Sequence, residues 1–202
     1  MSATPAISAE LLTRLMDVIE GDIAPLTRKE TLRGNKIFGA AVLRKSDLSL
    51  VLAETNNEVE NPLWHGEMHC LKRFYERPEA GRPDPSELIF LTTHEPCSLC
   101  LSAITWAGFD NFFYFFSHQD SRDSFAIPHD LNILKEVFAV EPGGYRTTNA
   151  YWSAHRIRAE IDRTGGADQS RLQERAVRID ALYADLSAQY QARKGTRSIP
   201  LP

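Results

Sequence analysis

Residues 88–100 read LIFLTTHEPCSLC, and this stretch decides the fold. Its first part, Leu88 to Thr92, is a short apolar run of the kind that forms a buried strand. Pro96 then opens a predicted helix from Pro96 to Trp106, because proline suits the first turn of a helix, where its missing amide is not needed. A buried strand that leads directly into a helix is typical of a layered α/β domain.

The sequence on either side predicts further strands and helices. Two apolar runs joined by Lys45-Ser46-Asp47 predict a hairpin. Ser8 is placed to cap a first helix, which we expect Gly21 or Pro25 to end. The remaining predicted elements are strands Lys36 to Arg44, Leu48 to Ala53 and Asn111 to Phe116, helices Leu11 to Ile19, Trp64 to Arg77 and Pro128 to Phe138, and a strand or irregular crossing from Tyr145 to Trp152.

The C-terminal segment predicts a long helix. Gly165-Gly166 marks a hinge or linker, and apolar residues then recur in steps of four and three at Leu172, Ala176, Ile179, Tyr183, Leu186 and Tyr190. We therefore predict a three-layer α/β/α sandwich around a mixed central sheet, formed by residues 1–152. Residues 153–202 are predicted to form a helical extension that packs on this domain or contacts a partner subunit.

Composition and charge narrow the class of protein. The 202 residues are 43% hydrophobic and 25% charged, which fits a globular domain. A net charge of −4 argues against nucleic acid as a partner, although residues 153–202 carry nine Arg or Lys against six Asp or Glu. No apolar run approaches the ~18 residues of a membrane span, and no basic, apolar leader opens the chain, so we expect a cytoplasmic protein without membrane contact.

The strongest chemical signal is the pair of segments WHGE at residues 64–67 and EPCSLC at residues 95–100. The thiolates of Cys97 and Cys100 and the imidazole of His65 are three good zinc ligands, and three protein ligands leave the fourth tetrahedral position for water. Zinc lowers the pKa of that water to around neutrality, so a nucleophile exists at cellular pH. The pattern therefore predicts a catalytic zinc ion.

Glu67 is the candidate catalytic residue. It stands two residues after His65, about 200° around a regular helix, so both reach one site only if His65 lies at the helix start. Glu67 can then take a proton from the zinc-bound water, deliver it to a ring nitrogen of a substrate and protonate the departing amine. The products are a carbonyl compound and ammonia.

The H-x-E and P-C-x-x-C pair resembles the signature of the cytidine and deoxycytidylate deaminase superfamily. Within it, Thr93 to Gly108 and the order of elements from about Ile7 to Phe138 are similar to guanine deaminases and tRNA adenosine deaminases. The resemblance implies a zinc-dependent hydrolytic deaminase with His65, Cys97 and Cys100 as ligands and Glu67 as proton shuttle. It implies a nucleobase or nucleoside substrate, with guanine first and cytosine, cytidine or tRNA adenosine as alternatives.

The resemblance also suggests how substrate is held. It places Asn56 where a loop asparagine holds the base, and Asp123-Ser124-Phe125 is similar to a guanine deaminase segment whose aspartate contacts the purine, although its spacing from the cysteines is shorter here. Two departures are Gly66, which replaces a small apolar residue, and a loop from Asn56 to His65 that is about two residues short. In guanine deaminases the C-terminal segment crosses to the other subunit, so we predict a homodimer.

Other interpretations remain open at this stage. His65 and His69 are four residues apart on one helix face, and with the two cysteines they would complete a closed structural Cys2His2 zinc site without catalysis. A redox dithiol is a further alternative. Trp106, with Trp64, either forms the wall of a substrate pocket or packs in the core.

Overall fold

A five-stranded mixed sheet forms the centre of the molecule. The computed structural model describes residues 6–141, 144–195 and 199–201. In the sheet order β2-β1-β3-β4-β5, β1 is antiparallel to β2 and β3, whereas β4 is parallel to both β3 and β5. The strands are β1 (Gly39–Arg44), β2 (Leu50–Thr55), β3 (Leu88–His94), β4 (Asn111–Phe116) and β5 (Ser153–Arg156).

Helices cover both faces of this sheet, which confirms the predicted three-layer α/β/α architecture. Side chains alternate along a strand, so Leu91 and Phe113 enter one core with α1 and α8, whereas Phe90 and Phe112 enter the other with α3 and α4. The helices are α1 (Ala9–Val18), α2 (Ala24–Thr31), α3 (Gly66–Tyr75), α4 (Ser98–Trp106), α5 (His118–Asp123), α6 (His129–Phe138), α7 (Ile157–Thr164) and α8 (Gly166–Gln191).

The first helix does not end where the sequence predicts. Ser8 caps α1 by accepting a hydrogen bond from the Leu11 amide at 3.1 Å, as expected. The helical path then passes Gly21 in one π-helical turn, Ile19–Ile23, and continues into α2 with Pro25 in its first turn. The expected stop at Gly21 or Pro25 is therefore wrong. In the π-helical turn the Ala24 amide bonds to the Ile19 carbonyl oxygen, so the hydrogen-bond pattern restarts and Pro25 falls in the first turn of α2, where its missing amide is not needed.

The C-terminal segment adds both a strand and two helices. β5 extends the sheet beside β4, and Gly165, at φ 77°, separates α7 from α8. All six apolar residues of the predicted seam are buried along α8. Tyr145 to Trp152 is irregular, with an isolated bridge between Thr148 and Ser153. The division at residues 152 and 153 stays a prediction.

Length and hydropathy decide whether a helix can cross a membrane. Of the helices in the described ranges, none combines the length and the apolar character that crossing a bilayer requires.

Candidate active site

The starts of two helices bring the predicted chemical residues together. β3 ends at His94, and Cys97 is the N-cap residue of α4, with Cys100 in its first turn. His65 is the N-cap residue of α3, and Glu67 lies in the first turn of that helix. The geometric requirement that His65 stand at a helix start is therefore met.

His65, Cys97 and Cys100 offer three donor atoms around one point. His65 Nδ1 lies 3.5 Å from Cys97 Sγ and 3.8 Å from Cys100 Sγ, and the two sulfurs are 3.6 Å apart. Tetrahedral zinc with bonds of ~2.3 Å to sulfur and ~2.0 Å to nitrogen separates such ligand atoms by roughly 3.5–3.8 Å. Among the described residues, these three form the one group of three or more His, Cys, Asp or Glu side chains close enough to share a metal ion.

Burial and neighbouring groups shift the pKa values of these three donors. A hydrogen bond from the Cys100 thiol, with further help from His65, holds the pKa of Cys97 well below its usual range. Burial lowers the pKa of His65, but the hydrogen bond and charge of Cys97 outweigh it and raise that pKa to about 9. Burial, together with the neighbouring Cys97 thiolate, raises the pKa of Cys100. A thiolate is the form that binds metal.

The Glu67 carboxyl group faces the same point from the first turn of α3. Its Oε1 accepts a hydrogen bond from Thr92 Oγ1 at 3.0 Å, and its Oε2 accepts one from Cys100 Sγ at 3.4 Å. The side chain is only 3% exposed. Burial, followed by the charge of Cys97, raises the pKa of Glu67 to about 7. A carboxyl group with such a pKa both accepts and gives up a proton near neutral pH.

A cavity of about 320 Å³ opens beside these residues. His65 and Cys97 lie in its wall, and a void of about 10 Å³ that is also lined by Glu67 adjoins them. The outer wall is largely apolar and includes Leu63, Leu99, Ile133, Ile199, Pro200 and Leu201. A space of this size suits a small planar molecule.

Asp130 is a site residue that the sequence analysis missed. It lies in the first turn of α6 and lines both the main cavity and the small void. Burial, and secondarily the charge of Cys97, raises the pKa of Asp130 to about 8. Its carboxyl group has no hydrogen-bond partner among the described residues. One signal in the sequence pointed to Asp130, namely the distance along the chain from the cysteines. Asp123 is closer to the cysteines than the aspartate of the similar guanine deaminase segment, and Asp130 comes later in the chain.

The three predicted substrate-binding residues do not line the cavity. Asn56 is fully buried; its Oδ1 accepts the Gly66 amide at 2.6 Å and its Nδ2 donates to Glu58 at 2.7 Å. The Asp123 side chain is 61% exposed and pairs with Arg122 at 2.6 Å. Trp106 ends α4 with 91% of its surface exposed, so it packs neither in the core nor, in this structure, against the cavity.

The geometry also disfavours the closed Cys2His2 site. His69 Nδ1 lies 2.9 Å from the Thr55 carbonyl oxygen, and the ring stacks on Trp64 with centroids 5.9 Å apart. His69 is not part of the metal-binding trio. Its neighbour Cys70 is fully buried in the core, as expected for a packing residue.

Comparison with known proteins now adds to this geometry. Residues 23–116 match the family model described as the cytidine and deoxycytidylate deaminase zinc-binding region. The match spans just under half of the chain and includes His65, Glu67, Cys97 and Cys100. The resemblance predicted from the H-x-E and P-C-x-x-C pair is thereby confirmed, and the cofactor is zinc.

Solved structures agree at the level of the fold. Guanine deaminase from Bacillus subtilis is 26% identical, and the match covers 72% of this chain and 85% of that chain with a TM-score of 0.50. A mutant protein in complex with 8-azaguanine is 18% identical over 92% of this chain and 86% of that chain, with a TM-score of 0.52. Guanine deaminase from Nitrosomonas europaea is 18% identical over 87% and 89% of the two chains, with a TM-score of 0.49. Comparison with curated proteins gave no match.

Gly66, one of the two departures from the deaminase pattern, has a packing reason here. A Cβ atom at Gly66 would lie 2.7 Å from Gly39 Cα and 2.8 Å from the Phe38 carbonyl oxygen, both of them backbone atoms. The start of α3 therefore approaches the start of β1 more closely than a larger residue permits. This contact sets the position of the helix end that carries His65.

Proposed function

We propose that the protein is a zinc-dependent hydrolytic deaminase of a free nucleobase, with guanine as the first candidate. In this proposal His65, Cys97 and Cys100 hold the zinc ion and Glu67 moves the protons. The observation that carries the proposal is the position of the buried Glu67 carboxyl group, which contacts Cys100 and lines the same void as His65 and Cys97.

The reaction replaces an exocyclic amine with a carbonyl group. Zinc, when bound, supplies the positive charge that lets a water molecule lose a proton near neutral pH. Glu67 accepts that proton and delivers it to the ring nitrogen, while the resulting hydroxide attacks the carbon that bears the amine. Glu67 then takes the remaining proton from the attached oxygen and gives it to the amine; the C–N bond breaks, ammonia leaves and the oxygen remains as the carbonyl. The hydrogen bond from Thr92 keeps the carboxyl group oriented during these transfers.

The cavity supports a small neutral base over a nucleotide. Its apolar outer wall offers no ready site for a phosphate, and among the described lining residues Lys36 is the sole Lys or Arg. Lys36 is already paired with Glu58 at 2.7 Å. Asp130 offers an acceptor for a ring N–H or amine, as a purine would present. These features also weigh against a tRNA substrate.

The test is ammonia release from a panel of bases, nucleosides and nucleotides with the purified zinc-loaded protein. We expect guanine to give the highest kcat/KM. Glu67→Gln should reduce kcat by at least about 10²-fold, since general acid–base catalysis contributes about 10²–10⁴-fold, while one zinc ion per chain remains bound. Loss of zinc in Glu67→Gln would contradict the assigned role, and activity confined to tRNA or nucleotides would contradict the substrate class.

The remaining prediction from the resemblance concerns assembly. We propose that the chain forms a homodimer, which light scattering in solution tests directly. A purely monomeric, fully active protein would contradict this.

A further inference from the structure

Glu58 lies on the side of the His65 ring opposite the two cysteines. His65 directs Nδ1 towards the two sulfurs, at 3.5 and 3.8 Å. The other ring nitrogen, Nε2, points away from them and lies 3.9 Å from Glu58 Oε1. The imidazole therefore stands between the cysteines and a carboxylate.

The Glu58 carboxylate is fixed in this place. Its side chain is 1% exposed, and its Oε1 accepts a hydrogen bond from Lys36 Nζ at 2.7 Å. Its Oε2 accepts one from Asn56 Nδ2 at 2.7 Å and lies 3.4 Å from the Lys36 backbone nitrogen. A buried carboxylate with a cation and further donors around it is held in one orientation.

The same carboxylate is connected to the backbone that carries His65. Asn56, which donates to Glu58, accepts the amide of Gly66 at 2.6 Å. Glu58 thus faces the His65 ring directly and, through Asn56, the first amide of α3. Both contacts act on the same ligand.

We propose that Glu58 is a positioning residue for the metal ligand His65. An anion opposite Nε2 favours the hydrogen on that nitrogen, which leaves the Nδ1 lone pair free for the metal and restricts rotation of the ring. Carboxylates hydrogen-bonded to a ligating histidine contribute about 10- to 100-fold to metal affinity, and the separation of 3.9 Å makes the contact here electrostatic. Lys36 compensates the charge of Glu58 but does not face the ligand. This role rests on the proposed function, in which His65 binds zinc.

The test is zinc affinity of the full-length protein, measured by competition with a chromophoric chelator. We expect Glu58→Gln to weaken zinc binding by about 10- to 100-fold. Glu60→Gln is the matched control, because Glu60 is exposed in the same loop and accepts only Asn57 Nδ2; its zinc affinity should equal that of wild type. The visible spectrum of the cobalt-substituted protein should change in Glu58→Gln and not in Glu60→Gln.

A second pair of variants separates positioning from stability. Glu58→Gln leaves the Lys36 ammonium group buried without a partner, so it is paired with Lys36→Met/Glu58→Gln, which removes both charges. We expect the double variant to bind zinc as weakly as Glu58→Gln, and Lys36→Met alone to lose less affinity than Glu58→Gln, because Asn56 still donates to the Glu58 carboxylate. Unchanged affinity in the double variant, or equal losses in Lys36→Met and Glu58→Gln, would overturn the positioning role. Absence of zinc from the wild-type protein would instead overturn the proposed function, and this role with it.

Discussion

At the scale of single residues, two aspartates offer different explanations of substrate recognition. Asp130 lines the cavity without a hydrogen-bond partner among the described residues, whereas Asp123 is exposed and paired with Arg122. We expect Asp130→Ala to lower kcat/KM for the preferred base by about 10- to 100-fold, the effect of leaving one buried hydrogen-bonding group of the substrate without a partner.

Steady-state kinetics with the zinc content measured in parallel provide the comparison. Asp123→Ala is the matched control and should retain wild-type kcat/KM. The opposite ranking of the two variants would show that the aspartate suggested by the family resemblance is the one that binds substrate.

The sequence predicts the site residues unevenly, for a physical reason. His65, Glu67, Cys97 and Cys100 are found because their spacing along two segments is itself the chemical requirement. Asp130 escapes detection because its nearness to them results from the way α6 packs beside α4, a contact that no local spacing records. Trp106 shows the opposite error. It follows the cysteines closely in the sequence, but its exposed ring does not line the cavity.

At the scale of elements, the close approach of α3 to β1 is the contact most sensitive to substitution. Gly66→Ala would push a Cβ atom against backbone atoms of Gly39 and Phe38, which cannot give way as a side chain can. We expect a loss of about 1–3 kcal/mol in the free energy of unfolding, together with weaker zinc binding, because His65 caps the displaced helix end.

Urea unfolding and zinc competition measure the two effects. Gly21→Ala serves as the control, because a Cβ atom at Gly21 meets nothing within 4 Å. It should leave zinc affinity unchanged and raise stability slightly, by about 0.5–1 kcal/mol at most. Equal effects of the two substitutions would contradict a specific role for the helix contact.

The strands and helices that flank the metal motifs were predictable, and those farther away were less so. β3 and β4 are buried on both faces and therefore appear in the sequence as continuous apolar runs. β5 was missed because its four residues are only half-buried and mostly polar, so they show no strand pattern. Its pairing with β4 depends on the tertiary fold.

At the scale of the whole molecule, His94 couples stability to pH. Its ring is 2% exposed and packs among Phe38, Phe116, Phe125 and Tyr183. Burial, and then the nearby His118, holds the pKa of His94 well below its usual range. Below a pH of about 6.5 the unfolded chain therefore binds a proton that the folded chain does not, so stability falls as pH falls.

We expect this histidine to contribute up to about 1.4 kcal/mol per pH unit to that loss. Urea unfolding of the metal-free protein between pH ~7 and pH ~5 should show a shallower pH dependence for His94→Leu than for wild type. The metal-free protein is used because acid also displaces zinc from thiolates. Parallel curves for the two proteins would rule out this origin of acid sensitivity.

The three layers of the fold follow from hydrophobic periodicity, but the composition of the cavity wall does not. Ile199, Pro200 and Leu201 lie in that wall with residues at least a hundred positions earlier, such as Leu99 and Leu63. Such long-range contacts depend on how the whole chain packs. The sequence therefore predicts the metal-binding and proton-transfer residues better than it predicts the apolar residues of the cavity wall.

The placement of Ile199 to Leu201 has a practical consequence for handling the protein. An affinity tag or fluorescent fusion attached behind residue 201 would begin close to the cavity wall. Turnover measured with such a fusion would report the attached sequence as well as the protein itself, and immobilisation through that end would hinder access to the cavity.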